Sequence, residues 1–310
     1  MIESKVSYEK FSPFHLKGIT ELFNLVKNKR INHSFFQKKY SLEWCNESLL
    51  GVVAINEHQE IIGFCGTTLY KFNDGEQSFF IAQLGDLLVN PKYQGKGIFT
   101  SLLSRLEEET IIRKLDGLVV FPNANAQPIF MKRKDWNQIG NFIDSSVNVR
   151  TYPLLKLLNK LNIHEWFYAL STLFGSNLTP KTSWYSVNQN EIHVIPDNAY
   201  FNYKRYQKFR FHQSSQHEFL WSLSDGIVIN GSQIVTSEEL KNEIAFLKDF
   251  CKLRGIHQFR YICHDRSLLG SLLTEPELKV KHKMPIFFKT NNPLLNTERI
   301  VFQGLDRNAY

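Results

Sequence analysis

The stretch NPKYQGKGIFTSLLSRLEEE, residues 90–109, decides how this chain is read. A polar turn opens at Asn90-Pro91, Gly95 and Gly97 flank Lys96, and a run with helical spacing follows at once. Upstream, SFFIAQLGDLLV (78–89) reads as a strand ending at Val89. A strand, a tight glycine loop and a helix N-terminus leave several backbone N–H groups without intrahelical partners. The positive end of the helix dipole adds to them, and glycines let an anion approach the main chain closely. The loop therefore reads as a phosphate site with Lys96 at its rim. Two common phosphate loops do not fit. A Walker A loop needs glycine at 90 and Ser or Thr at 97, where Asn90 and Gly97 stand. A dinucleotide fingerprint needs a glycine at 100, which is Thr100, and it would open a parallel βαβ unit, whereas this loop follows β-hairpins.

Working outward, SKVSYEKF reads as a first strand and the amphipathic run from His15 to Val26 as a helix. LLGVVAIN and IIGFCGTTLYKF form a hairpin around the polar turn EHQE, and NDGEQ (73–77) turns the chain into the strand that ends at Val89. The helix of the opening stretch starts near Gly97 and runs to about Lys114, with Leu102, Leu103 and Leu106 on one face. DGLVVFP is another strand, NANAQPIFMKRKDW a short helix with Pro128 in its first turn, and NQIGNFIDSSVNVR a closing strand. The order is strand, helix, three strands, helix, strand, helix, strand. That is an α+β fold with a mixed, mostly antiparallel sheet flanked by helices and one βαβ crossover, not a doubly wound fold.

From Thr151 to Ser183 the texture is helical, apolar and aromatic with interspersed lysines. It reads as a connecting helix pair between two domains; the other reading is an interfacial helix on a membrane surface, for which the lysines are few. FNYKRYQKFRF then starts a second block. GIVING and QIVTSE are strand-like, Glu238 to Leu253 is helical, HQFRYIC is a strand, Leu268 to Leu273 a short helix, and MPIFFKT and ERIVFQGLD closing strands. The second half thus repeats the strand-helix-strand-helix-strand ending of the first. The organisation expected is 1–148, a connector at 149–185, and 186–310.

The 310 residues, 43% apolar and 22% charged, are ordinary globular material. No apolar run approaches the roughly 18 residues of a membrane span, and no charged-then-apolar leader opens the chain, so a cytoplasmic location is expected. Four cysteines without CxxC spacing read as free thiols. The histidines show no metal-ligand spacing. The net charge of +7 is spread without a long basic block and without an RRM, helix-turn-helix or zinc-finger pattern. A phosphate-bearing small ligand accounts for it better than specific nucleic-acid binding.

Residues 94–99, QGKGIF, after the strand GDLLVNPKY, resemble motif A of the GNAT family of acyl-CoA N-acyltransferases, Q/R-x-x-G-x-G/A. Gln94 and Gly97 occupy its first two key positions, and Phe99 stands where the family usually has Gly or Ala. Thirty residues on, FPNANAQPIFMKRKDW looks like the family's exit from strand five into an Asn-led helix, and the element order of 1–148 is similar too. The resemblance implies acetyl-CoA as co-substrate. Its pantetheine arm would lie along Leu87, Leu88 and Val89, and its diphosphate would take the amides of Gln94, Gly95, Lys96, Gly97, Ile98 and Phe99. Asn123 or Asn125 would face the arm, or cap the following helix instead. The second half looks like the degenerate second GNAT-like module of tandem family members. It has no such loop, and aromatic and basic residues such as Tyr203, Arg205, Tyr206 and Arg210 would suit the wall of an acceptor site or, alternatively, ordinary core and surface positions.

Acyl transfer to an amine needs a neutral amine, an oxyanion partner and an acid for the thiolate. Many relatives carry Glu where Gln83 stands, and Gln takes no proton. Asp86 is the nearest carboxylate, but strand alternation points it to the opposite face from Gln83; only a β-bulge brings both into one cleft. Asp86 is thus either a base or a structural carboxylate. Phe130 lies at or near the place of the family's acid Tyr beside the coenzyme, and Tyr93 is the remaining phenol. The reading is an acetyl-CoA-dependent N-acetyltransferase for a small amine such as an amino sugar or nucleotide-linked sugar. The alternatives are a Fem-like aminoacyl transferase using aminoacyl-tRNA and a non-catalytic acyl-CoA binder.

Overall fold

The computed structural model describes residues 6–40, 50–152, 154–161, 191–194, 197–204, 209–214, 217–224, 226–273 and 278–306. Most of the expected connector, 162–190, lies outside the described residues, as do Cys45, Arg205 and Tyr206. Packing divides the chain into two units interleaved in sequence. One is Met1–Phe121, Ile129–Asn137 and Phe287–Thr297; the other is Pro122–Pro128, Gln138–Ile286 and Glu298–Tyr310.

The first unit runs β1 (Ser7–Lys10), α1 (Leu16–Lys27), α2 (His33–Lys39), β2 (Gly51–Ile55), β3 (Ile61–Asn73), β4 (Ser78–Val89), α3 (Ile98–Ile112) and β5 (Gly117–Val120). A short helix, α4 (Gln127–Met131), follows, and the tip of the final strand, β12 (Lys279–Thr290), completes the sheet. The strand order is β1-β2-β3-β4-β5-β12. Neighbours are antiparallel except β4 and β5, which are parallel. The β3–β4 hairpin forms because two long apolar runs flank a turn that closes itself. The Asp74 side chain accepts from the amides of Glu76 and Gln77, and Gly75 takes a φ of +99° that other residues avoid. Helices cover both faces. On one, α1 buries Leu16, Ile19, Leu22 and Phe23 with Phe11, Phe36, Tyr40, Phe64 and Leu88 in one apolar cluster. On the other lies α3, so close that a Cβ on Gly63 would sit 2.9 Å from Leu102 and 3.0 Å from Ile98.

The helix α2 is the element that sequence periodicity misses. Seven residues are too few for an apolar pattern, and its start is marked only by Asn32, whose side chain accepts from the Phe35 amide.

Distant segments of this unit converge on one carboxylate. Glu107 of α3 accepts from Arg133 at 2.7 Å, the Trp136 indole at 3.0 Å and Lys289 of β12 at 2.8 Å. Asp135 shares Lys289 at 2.7 Å and Arg133 at 3.2 Å. Burial opposes ionisation of Asp135, but those two cations prevail and hold it at about 2.

The second unit contains β6 (Asn137–Asn148), α5 (Leu154–Lys160), β7 (His193–Val194), α6 (Asn198–Lys204), β8 (Arg210–Gln213), β9 (Glu218–Leu223) and β10 (Ile227–Ser232). The helix α7 (Ser237–Leu253), β11 (Gln258–His264) and α8 (Leu268–Leu272) follow. Its strands run β6-β11-β10-β9-β8, with β10 and β11 parallel and the other pairs antiparallel. Two expected strands are not formed. QIVTSE is the loop into α7, because Thr236 caps that helix. ERIVFQGLD makes two 3-10 turns, Thr297–Arg299 and Gly304–Asp306, with single bridges from Ile300 to Ile192 and Gln303 to Cys263. Its Ile300-Val301-Phe302 run is buried by packing, not by a ladder. Among the described residues no helix is long and apolar enough to cross a membrane, and Cys65, Cys251 and Cys263 are free thiols.

Removing the shared carboxylate leaves the Trp136 indole without its partner and Arg133 and Lys289 with Asp135 alone. Glu107→Ala should lower stability by about 3–5 kcal/mol, the usual cost of breaking a buried ion pair, read as a lower urea midpoint at unchanged slope. The contribution of Asp135 is complete above its ordinary range near 3.8 and is lost as pH falls toward about 2. A Lys289→Met chain should therefore unfold at higher pH on acid titration than the parent.

Candidate active site

The loop between β4 and α3 begins with a 3-10 turn at Pro91–Tyr93, stabilised by the Asn90 side chain accepting from the Lys92 amide. Gln94 N–H reaches Pro91 O at 3.4 Å, and the helical ladder starts only where Ser101 N–H bonds to Gly97 O at 3.0 Å. Between them Gly95 and Gly97 both take a φ of +76°, and no side chain caps α3. Among the described residues, the amides of Gly95, Lys96 and Gly97 make no hydrogen bond, and those of Ile98, Phe99 and Thr100 are the unladdered first turn. Nothing lies within 4 Å of where a Cβ on Gly95 or Gly97 would stand. Residues 94–97 are exposed, Ile98 is buried and Phe99 half-buried. Lys96 sits over the Tyr93 ring at 5.1 Å, and the Tyr93 hydroxyl accepts from Asn56 at 3.1 Å. The loop is therefore an open array of amides beside a positive dipole end, with no side chain in the way.

Beside it the sheet parts. Asp116 pins the start of β5, its amide bonding to Phe80 O at 2.8 Å and its carboxylate accepting from the Phe80 amide at 2.7 Å. Parallel pairing then covers only Ile81–Leu84 against Gly117–Val120, while β4 continues to Val89 held by β3 alone. Leu87, Leu88 and Val89 thus have an edge that β5 does not cover. The register between β3 and β4 shifts at this point. Gly66 faces Asp86 and Thr67 faces Leu84, which leaves Gly85 as a one-residue bulge.

The bulge decides which way the polar residues face. Cross-strand partners share a face. Phe64, Gly66 and Thr68 alternate onto one face of β3, so their partners Leu88, Asp86 and Gln83 share that face as well. Gln83 and Asp86 are thereby brought to the same side, the side of α1 and α2, which unbroken alternation would have denied them.

Asp86 does not stand alone there. Lys39, the last residue of α2, bonds to its Oδ2 at 2.8 Å, with side chains 0% and 2% exposed. The Tyr40 hydroxyl donates to the same oxygen. Burial pushes the Lys39 amine down, with Asp86 opposing. Lys39 Nζ and Tyr40 Oη both lie 3.5 Å from where a Gly85 Cβ would be. Neither residue is legible as a site residue in the sequence, since each contact spans more than 40 positions. The nearest signal is a Lys-Tyr pair ending a Phe-rich segment.

Other expected residues are placed differently. Phe130 is core: it meets Trp136 edge-on at 4.9 Å between centroids and stacks on Phe287 at 6.1 Å. Asn123 folds back, its side chain accepting from the Asn125 and Ala126 amides. His212 and His217 stack on Phe219 and Phe246.

Residues 16–133 match the sequence profile of the acetyltransferase (GNAT) family. They are a GNAT acyltransferase domain. The fold agrees across the chain. A conserved protein from Enterococcus faecalis V583 superposes with a TM-score of 0.62 at 13% identity, over 93% of this chain and 73% of that one. A GCN5-related N-acetyltransferase from Kribbella flavida gives 0.60 at 9%, over 93% and 71%. Eis1 from Mycobacterium abscessus gives 0.55 at 12%, over 92% and 73%. No curated protein matches the chain by sequence. GNAT enzymes draw their acyl group from an acyl-CoA, and the open amide loop beside an uncovered strand edge suits one. Residues 16–133 are thus similar to an acyl-CoA-dependent acetyltransferase domain.

The second unit carries a comparable strand split without a comparable loop. Pairing of β10 with β11 ends at Ile229 and Tyr261, and the register with β9 shifts at Asn230. The turn into α7 has no glycine. Its amides are occupied: Glu239 accepts from Val235 at 2.8 Å and Thr236 at 3.0 Å, while Thr236 accepts from Glu239 N at 3.2 Å. The split is closed by the end of the chain itself. His264 N–H points to Phe302 O at 3.4 Å, and Gly304 packs so tightly that a Cβ would stand 2.5 Å from Ile262 O. Asp306 anchors this segment, accepting from Tyr200 and the Gln303 amide.

The Lys39–Asp86 pair sets a stability test. Asp86→Ala leaves a buried ammonium and should cost about 3–5 kcal/mol, whereas the double change Lys39→Met with Asp86→Leu should be near neutral. Urea melts of the two chains separate these outcomes.

Proposed function

We propose that this enzyme transfers the acetyl group of acetyl-CoA to the primary amine of a small molecule, with amino sugars and nucleotide-linked sugars as the acceptor class. The observation that carries the reading is the loop at 94–99: five successive open amides, Gly95 to Phe99, around two left-handed glycines, next to the uncovered edge of β4. Those amides would hold the coenzyme diphosphate, with Lys96 adding charge, while the Gln94 amide, turned to Pro91 O, starts the loop. Leu87, Leu88 and Val89 would offer main-chain bonds to the pantetheine arm. Phe99, half-buried, contributes its amide at the start of α3. Asn123 is spent as a cap, which leaves Asn125 to face the arm, and the core position of Phe130 makes it a support for the site and not a contact.

The two faces of the sheet give the reaction its direction. The loop leads into α3 on one face, and Gln83 and Asp86 lie on the other. An arm that starts at the loop and passes between the parted β4 and β5 presents its thioester to the second face, where an amine would meet it. Main-chain N–H groups at the uncovered edge would stabilise the oxyanion. In this reading the unit Met1–Phe121, Ile129–Asn137 and Phe287–Thr297 is the acyl-CoA module, and the second unit carries no coenzyme loop among its described residues. The +7 charge helps to attract a polyanionic co-substrate. Tyr93, bonded to Asn56 and covered by Lys96, shapes the loop.

Isothermal titration should show one acetyl-CoA per chain with a Kd of about 1–100 μM, a free energy on the order of −8 to −5.5 kcal/mol. Gly97→Val places a branched side chain at φ +76° and over the amides, and should weaken binding at least roughly tenfold. Equal affinity for parent and variant would sink the phosphate-loop assignment. Binding without thiol release across an amine panel would favour an acyl-CoA-binding protein instead, as the protonless Gln83 suggests.

A further inference from the structure

Three polar groups sit in the most apolar part of the first unit with no role in coenzyme binding. Tyr40 stacks on Phe36 and meets Phe11 and Phe64 edge-on, yet its hydroxyl is turned to Asp86 and not to solvent. Lys39, fully buried, ends on the same oxygen. A chain that buries a lysine, a carboxylate and a phenol beside three phenylalanine rings gives up hydration worth several kcal/mol per ion. It does so within one residue of the bulge where β4 loses β5. Gly85 has no side chain to shield them, and the space its Cβ would take lies 3.5 Å from both Tyr40 Oη and Lys39 Nζ.

We propose that Tyr40 is the catalytic acid of the acyl transfer, with Asp86 and Lys39 as the residues that position it. The inference rests on the acyl-transfer reading above. In the step, the neutral amine nitrogen bonds to the thioester carbon and the carbon–sulfur bond breaks. Nitrogen loses one proton and sulfur gains one. Tyr40 gives its hydroxyl proton to the leaving sulfur and takes the proton that nitrogen sheds, so the enzyme ends the turnover as it began. Asp86 aims the hydroxyl as its acceptor. Lys39, bonded to the same oxygen, holds Asp86 in place beneath the hydroxyl. The groups facing this trio are few: Lys27 adds a repulsive charge toward Lys39, and Cys65 is a thiol pushed far up by burial and silent over the working range. Gln83, on the same face, does not titrate.

The test is Tyr40→Phe, which keeps the ring packing, alongside the Lys39→Met, Asp86→Leu double variant, which removes the charges without stranding one. Acetyl-CoA affinity by titration should match the parent in both. With the best amine of a panel, thiol release should fall about 10²-fold in kcat for Tyr40→Phe, the low end of acid–base contributions, with KM for acetyl-CoA unchanged and the alkaline limb of the pH profile lost. A second measurement needs no acceptor: the number of protons exchanged when CoA binds, from titrations in two buffers of different ionisation heat, should differ between parent and Tyr40→Phe. Parental kcat and pH profile in Tyr40→Phe, or an unchanged proton count where no amine reacts, overturns the assignment. A parent chain that binds no acetyl-CoA overturns the acyl-transfer reading itself, and Tyr40 with it.

Discussion

A strand of four residues cannot cover an edge of twelve. β5 pairs with β4 at Ile81–Leu84 and then ends, while β4 goes on to Val89 under the hold of β3. Uncovered strand edges are a hazard in most proteins, open to pairing with any other chain. Here the edge ends directly in a loop whose amides are equally unspent. Two adjacent sets of unpaired main-chain groups, one linear and one curled around a helix N-terminus, invite a ligand with an amide-bearing arm and a diphosphate. The site is made of backbone first and side chains second.

The bulge at Gly85 sets polar side chains beside this opening. An extra residue in β4 rotates Asp86 onto the face of Gln83, and α2 supplies Lys39 and Tyr40 to meet it. A Cβ there would stand in ordinary contact, 3.5 Å, with both polar ends, and glycine leaves that space open. An ion pair taken from water gains little net stability. Its presence within an aromatic cluster is explained by position: it fixes the bulge and sets a phenol beside the parted strands.

Much of the first unit could be read from residue patterns because its signals are local. The β3–β4 hairpin follows from apolar runs around Asp74-Gly75, and α3 from Leu102, Leu103 and Leu106 after two glycines. The bulge is different in kind. Alternation along β4 placed Asp86 opposite to Gln83, and register is a property of the β3–β4 pair and not of either strand. Gly85 was its one visible mark. The Lys39–Asp86 and Tyr40–Asp86 contacts are long-range, and α2 is too short to announce itself. In the second unit, ERIVFQGLD has strand composition because its Ile300, Val301 and Phe302 are buried, and burial alone does not distinguish a ladder from a plug. The Thr236–Glu239 capping box, by contrast, stood in plain sequence as T-S-E-E and argued against a strand through QIVTSE.

The two units answer the same geometric problem in opposite ways. Each has a parallel strand pair that ends early and a register shift in one strand of that pair just past the end. In the second unit the helix that follows satisfies its own first amides with Glu239, a carboxylate already seated where a phosphate would have to go. The opening beyond Ile229 and Tyr261 is filled by residues 302–304, and Glu243, its acidity weakened to about 7 by burial, joins Ser232 of β10 to Tyr261 of β11. Both anion positions at the helix start are occupied by protein. Glycine at 95 and 97 in one unit, and Thr236 with Glu239 in the other, therefore separate a loop that must recruit its anion from one that carries its own. The helix start of the second unit is covered by a capping box and a buried chain segment anchored by Asp306, whereas at Gly95 and Gly97 of the first no side chain covers the amides.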